Sequence, residues 1–137
     1  RGDRRIVSWS EYDLNVVRSL ATDDAELVAR FEGRYVNARA LAERWRNRVH
    51  GGDRPTSGRL TDYLALIEYP VPDAAAPGNV GDTIRAMRPR LSRGLPPTPA
   101  QRERWDRLIV HNRHDCIGMR RVCLRAAAEL QAAERPA

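Results

Sequence analysis

Ile6-Val7-Ser8-Trp9-Ser10-Glu11-Tyr12-Asp13 is the stretch that decides the class of fold. The run Arg4–Trp9 reads as a short strand, and Ser10 supplies a hydroxyl that can cap a helix running to about Ala21. A strand that passes directly into a helix opens an α/β arrangement, and Asp13 falls just past the strand's end.

Working outward, Thr22-Asp-Asp24 opens another short helix that Gly33 should stop. Arg34–Val36 is a possible second strand, and Asn37 can cap a helix through about Val49, with Leu41, Trp45 and Val49 forming an amphipathic stripe. His50-Gly51-Gly52-Asp53-Arg54-Pro55 reads as a turn or loop. A helix around Leu60–Glu68 carries Leu60, Tyr63, Leu64 and Ile67 on one face. Tyr69–Asn79 reads as a surface connection, Asp82–Met87 as a short helix before Pro89, and Arg93–Pro97 as a loop. The last helix has the clearest start: Thr98 as capping hydroxyl, Pro99 at the first helical position, and Gln101 able to reach back. Its apolar stripe reads Trp105, Leu108, Ile109, Asn112, Cys116, Met119, Cys123, Ala127, Leu130. The expected architecture is α/β, mostly helical with one or two short strands.

At 137 residues the chain amounts to one domain or a piece of one, with 42% apolar and 6% aromatic residues. It opens on Arg1 rather than methionine, which reads as a chain that has lost its start. No apolar run approaches the roughly 20 residues needed to span a bilayer, and no signal peptide is visible. The expected setting is cytoplasmic, with no membrane partner. The net charge of +6 rests on arginine alone, since the sequence contains no lysine. Genome composition is the plain explanation for that replacement, but the excess positive charge favours polyanionic partners such as nucleic acid. Cys116 and Cys123, seven residues apart on one helix, lie about 10 Å apart, too far to bridge, and read as small core residues in a reducing compartment.

Ile109-Val-His111-Asn-Arg-His114-Asp115 places a histidine and an acid one helical turn apart. Acids delivered from a strand end and from a late helix can share a divalent ion, as metal-dependent nucleases need. On a helical wheel of about 100° per residue, the expected apolar face centres near Trp105 and Cys123. His111 and Asp115 then fall together on its border, and His114 falls on the solvated side. Both acids also have local readings. Asp115 could pair with one of many arginines, and Asp13 could bond back to the helix cap and favour the dipole. Arg39, Arg44, Arg46 and Arg48 could lie along a phosphate backbone, with Trp45 either stacking or buried.

The two acidic segments resemble the later motifs of the DEDD, or DnaQ-like, exonucleases, whose domains have a ribonuclease-H-like fold. That family carries Asp-x-Glu on its first strand, a second Asp just after a middle strand, and Tyr-x-x-x-Asp or His-x-x-x-x-Asp on its last helix. Arg5-Ile-Val-Ser-Trp-Ser-Glu-Tyr-Asp13-Leu14 resembles the middle motif, and Val110-His111-Asn-Arg-His-Asp115-Cys-Ile-Gly-Met119 the last. Asn37-Ala-Arg-Ala-Leu-Ala fits the segment after the middle motif. The nearest look-alikes are bacterial ribonuclease-H-like domains found beside RecB-type nuclease or helicase modules.

The resemblance implies that residues 1–137 are the C-terminal portion of a ribonuclease-H-like nuclease domain, an incomplete one. It implies Mg2+ or Mn2+ as cofactor, Asp13 and Asp115 as metal ligands, and His111 as the residue that positions water. Single-stranded DNA or RNA is the implied substrate, and a fused or associated RecB-type nuclease or helicase the implied partner. The sequence departs from the pattern twice. His111 lies four residues before Asp115, the spacing usually held by tyrosine, and no Asp-x-Glu precedes Arg4, Gly2-Asp3-Arg4 not being one. A 3′–5′ exonuclease or ribonuclease-H-like activity is therefore expected to be silent in this chain by itself. The alternatives are a non-catalytic, arginine-rich nucleic-acid-binding or interaction module, and a remnant without a function of its own.

Overall fold

The computed structural model describes residues 4–51, 57–72 and 80–135. Their elements are β1 (Ile6–Ser8), α1 (Tyr12–Leu20), α2 (Ala25–Glu32), β2 (Tyr35–Asn37), α3 (Ala38–Val49), α4 (Leu60–Leu66), α5 (Val80–Leu91) and α6 (Pro99–Glu134). The expectation of a mostly helical chain with one or two short strands holds, with two strands among the described residues. Much of the loop expected at His50–Pro55 and of the connection expected at Tyr69–Asn79 lies outside the described residues. The chain divides into two compact units: Arg1–Glu68 together with Met119–Ala137, and Tyr69–Gly118. Helix α6 contributes to both.

In the first unit, β1 pairs with β2 in parallel, in the register Ile6↔Tyr35, Val7↔Val36, Ser8↔Asn37. Parallel strands need a long crossover, and α1 and α2 provide it. The expected strand Arg4–Trp9 shortens to three residues because the chain turns at once into α1. Ile6 and Val7 are exposed and Ser8 is the buried member. A polar knot explains that inversion. The Ser8 hydroxyl lies 2.7 Å from the Ser10 carbonyl oxygen and 2.8 Å from the Tyr35 hydroxyl, and Tyr35 donates to that same carbonyl. Buried hydroxyls that share their hydrogens this way avoid the cost of unmet polarity.

Capping residues set the helix starts. The Asp24 carboxylate accepts from Leu27 N–H at 2.8 Å to open α2, and Asn37 accepts from Ala40 N–H at 3.1 Å to open α3. Helix α3 buries Ala38, Ala42 and Trp45. Leu41 and Val49, expected beside Trp45 on the apolar stripe, are only half-buried. Trp45 is 1% exposed, its indole N–H donates to Glu129 of α6 at 2.8 Å, and its ring meets the edge of His50 at a centroid distance of 4.9 Å. Burial alone would raise the Glu129 carboxyl, but the hydrogen bonds from Trp45 and Arg125, with the nearby charges of Arg125 and His50, hold it below the usual carboxylate range.

Trp9 packs edge-on against the fully buried Tyr63 of α4 and donates its indole N–H to the Gly58 carbonyl at 3.0 Å. Gly58 sits at φ +75°, and a Cβ there would come within 2.6 Å of the Arg39 guanidinium. Gly58→Ala therefore costs about 1–2 kcal/mol from left-handed strain, since the Arg39 side chain is free to swing aside. Urea unfolding checks this, and an unchanged midpoint overturns it.

In the second unit, α5 runs from Val80 to Leu91 with Pro89 inside it, longer than the expected Asp82–Met87. Proline removes the bond to the Arg85 carbonyl, but only one further turn follows, so little of the ladder is lost. That turn closes on Gly94 at φ +68°: Gly94 N–H bonds to Leu91 and Leu95 N–H to Arg90, both at 3.0 Å, the pairing of a Schellman cap. Helix α6 begins as its sequence dictates. Thr98 N–H donates to Gln101 Oε1 at 2.9 Å, and Gln101 N–H donates back to the Thr98 hydroxyl at 3.3 Å. The Gln101 amide also donates to the Ala86 carbonyl at 2.8 Å, which ties α6 to α5.

Along α6 the buried line is Leu108, Gly118, Val122, Ala126 and Leu130. This is rotated by somewhat under a quarter turn from the expected stripe, taking about 100° per residue. Trp105, Ile109, Asn112 and Cys116 lie on the exposed side instead. Among the described residues, no helix is long and apolar enough to cross a membrane.

Candidate functional site

Asp13 lies in the first turn of α1, exposed. The local capping role open to it goes unused. Glu11 occupies the cap position without a side-chain cap bond, and Tyr12 N–H is the group that points at the Ser10 hydroxyl, at 3.4 Å. Asp13 has no hydrogen-bond or ion-pair partner among the described residues, although the helix dipole still favours its charge there.

Asp115 and His111 stand one turn apart on α6, with Asp115 Oδ2 3.3 Å from His111 Nε2. Their side chains are 42% and 17% exposed. Both lie at helical spacing along the buried line that continues through Gly118 and Val122, which places them nearer its middle than its border. Burial pushes the Asp115 carboxyl up from the ordinary 3.8, and the charges of His111 and His114 only partly offset it. Its ion pair is with a histidine, so the arginine pairing open from sequence does not occur among the described residues.

His114 differs from expectation. It is half-buried rather than solvated, and its Nδ1 shares a hydrogen bond of 3.1 Å with the Tyr69 hydroxyl. Tyr69 belongs to the same unit and extends the cluster to His111, His114, Asp115 and Tyr69. Tyr69 escaped the sequence reading because it stands 45 positions away in the chain, where no periodicity connects it to His114.

The cluster offers a carboxylate, two imidazoles and a phenol that can exchange protons, with the carboxylate held where water stabilises its charge poorly. Such a carboxylate gains from a cation placed beside it. Three or more His, Cys, Asp or Glu side chains grouped to hold a metal ion do not occur among the described residues.

Three of the four α3 arginines are engaged with acids. Arg39 pairs with Glu43 at 2.8 Å, while Arg44 and Arg48 both reach Glu134, at 2.9 and 3.3 Å. Arg46 bonds Asn47 at 3.0 Å. Exposed pairs of this kind are worth little, so a phosphate could still compete for the guanidinium groups. Trp45 is buried, which removes it from stacking on a base. Both cysteines are free, and Cys116 is exposed rather than part of a core.

No protein-family model matches the chain, and no curated protein and no solved structure is similar to it.

Proposed function

We propose that this chain carries the later motifs of a ribonuclease-H-like domain of DEDD type that hydrolyses phosphodiesters with Mg2+ or Mn2+. The observation that carries the reading is the half-buried Asp115 carboxylate, raised in affinity for a proton and facing His111 rather than an arginine. Asp13, in the other unit, is a second carboxylate without a partner among the described residues, placed by the turn from β1 into α1. When bound, a divalent ion lowers the pKa of its water and steadies the leaving oxygen. By the motifs they resemble, Asp13 and Asp115 would each serve as a ligand residue, and His111 as the residue that would orient the water. The arginine-rich module has less behind it, because three of the four α3 arginines already have acidic partners.

Titration of this chain with Mn2+, followed by electron paramagnetic resonance, should show weak binding that Asp13→Asn reduces. In the full-length protein, Asp13→Asn should lower Mg2+-dependent cleavage of single-stranded DNA or RNA by at least about 100-fold, since even outer-shell substitutions cost 10–100-fold. Undiminished cleavage removes Asp13 from the site. Cleavage by this chain alone overturns the expectation that it is catalytically incomplete.

A further inference from the structure

The second unit carries a feature that the proposed chemistry does not use. Helix α5 presents Val80, Ile84, Met87 and Leu91 on one face, and of these only Met87 is buried. Ile84 and Leu91 are 50% and 53% exposed. Across from them stands Trp105 of α6, 40% exposed, with Ile109 one turn further on and likewise exposed. Between the two helices is a half-open groove of about 720 Å³, lined by Ile84, Met87, Arg88, Leu91, Ser92 and Trp105. The two helices that frame it are held by the Gln101–Ala86 bond and by Arg90 Nε donating to the Pro96 carbonyl at 3.0 Å.

The charge around the groove has one dominant sign. Arg88 lines it, Arg102 lies one turn before Trp105, and Arg113 lies one turn after Ile109. None of these three has an acidic partner among the described residues. The acids that could have neutralised the rim are occupied elsewhere: Asp82 pairs with Arg85 at 2.9 Å, and Glu103 with Arg107 at 3.7 Å. Asp106 lies on the same side of α6 and is outnumbered. The Ser92 hydroxyl spends its hydrogen on the Pro89 carbonyl at 3.2 Å, leaving its oxygen only as an acceptor.

We infer that the α5–α6 groove docks an acidic amphipathic helix of another protein. An apolar stripe on the partner would cover Ile84, Leu91 and Trp105, and flanking Asp or Glu side chains would meet Arg88, Arg102 and Arg113. This is recognition of a helix in a groove, where apolar anchors give affinity and rim charges choose the partner. A second copy of this chain fits poorly, because its basic rim would face the same rim on a molecule of net charge +6. A small apolar acid would fill the groove but leave Ile109 beyond it uncovered.

The test uses two dye-labelled helical peptides with the same leucine stripe, one flanked by glutamate and the other by lysine, with fluorescence anisotropy as the readout. The glutamate peptide should bind this chain at least roughly 10-fold more tightly than the lysine peptide, with the preference shrinking as salt rises. Ile84→Glu and Leu91→Glu should each abolish binding while leaving the helical circular dichroism intact, since both side chains are half-exposed. Arg88→Glu should weaken the glutamate peptide and improve the lysine one. Binding of neither peptide, equal binding of both, or binding indifferent to Ile84→Glu overturns the proposal. Calorimetric binding of decanoate without binding of either peptide would overturn the proposal and assign the groove to a small acid. Dimers in sedimentation that Ile84→Glu dissolves would assign it to a second copy.

Discussion

Trp45→Ala should lower the stability of the first unit by about 3–5 kcal/mol, the range for removing a large buried aromatic. The side chain is 1% exposed, so the void left behind has no route to solvent. The damage extends to a polar group. The indole N–H at 2.8 Å is one of the bonds that hold the Glu129 carboxylate charged, and its loss leaves Arg125 and a 3.6 Å contact to His50 to do so. At roughly 4–8 °C per kcal/mol for a small domain, the melting temperature should fall by more than about 10 °C. Trp45→Phe separates the two losses: it keeps most of the apolar bulk and deletes the donor, at a cost of about 1–3 kcal/mol. Chemical unfolding followed by far-ultraviolet circular dichroism measures both. A Trp45→Ala loss below about 1 kcal/mol would mean that the indole is not the centre of this core.

Asp115→Asn should do two opposite things. In the full-length protein it should abolish Mg2+-dependent cleavage, by at least about 100-fold, because an amide cannot replace a ligand carboxylate. In the isolated chain it should raise stability at neutral pH. The sign follows from the shift. The folded carboxyl has a pKa above the ordinary 3.8, so the folded state holds its proton more tightly than the unfolded state does. Stability is therefore lost as pH rises through the folded value, and the charged group imposes a cost above it. The amide carries no such cost, so the gain should be present near pH 7 and vanish as pH falls below about 3.8. Thermal melts of both proteins across that interval check the stability arm. Retained cleavage removes Asp115 from the mechanism, and a variant less stable at pH 7 would mean that the His111 contact outweighs the burial cost. A gain in stability joined to a loss of activity is the behaviour of a side chain kept for chemistry rather than for folding.

Much of the local structure was legible in the chain. Asp24, Asn37 and the Thr98–Gln101 pair start their helices by bonds within three residues. Short-range hydrogen bonds depend on residue identity and spacing alone, so sequence patterns report them well. The end of α5 was misjudged because Pro89 reads as a breaker, whereas so close to a helix terminus its missing N–H costs little.

The buried face of α6 was another matter. Trp105 and Ile109 outweigh Val122 and Ala126 in any apolar pattern, yet the structure exposes the large pair and buries the small one completely. Hydrophobicity says which residues gain from burial, while packing decides which fit. On α3 the closed positions go to Ala38 and Ala42 beside one Trp45, so bulk on this face is concentrated in a single ring.

Sequence by itself determined the helix and strand inventory, the caps that open α2, α3 and α6, the arginine-borne charge, and the turn of spacing that sets His111 beside Asp115, since all of these follow from composition or from bonds between near neighbours. Tertiary structure alone decided the rest: the rotation of α6 that half-buries Asp115, the union of Trp45 with Glu129, the pairing of Tyr69 with His114, and the exposed apolar groove. These depend on contacts between residues tens of positions apart, whose energies come from desolvation and shape, and neither quantity is written in the periodicity of any one segment.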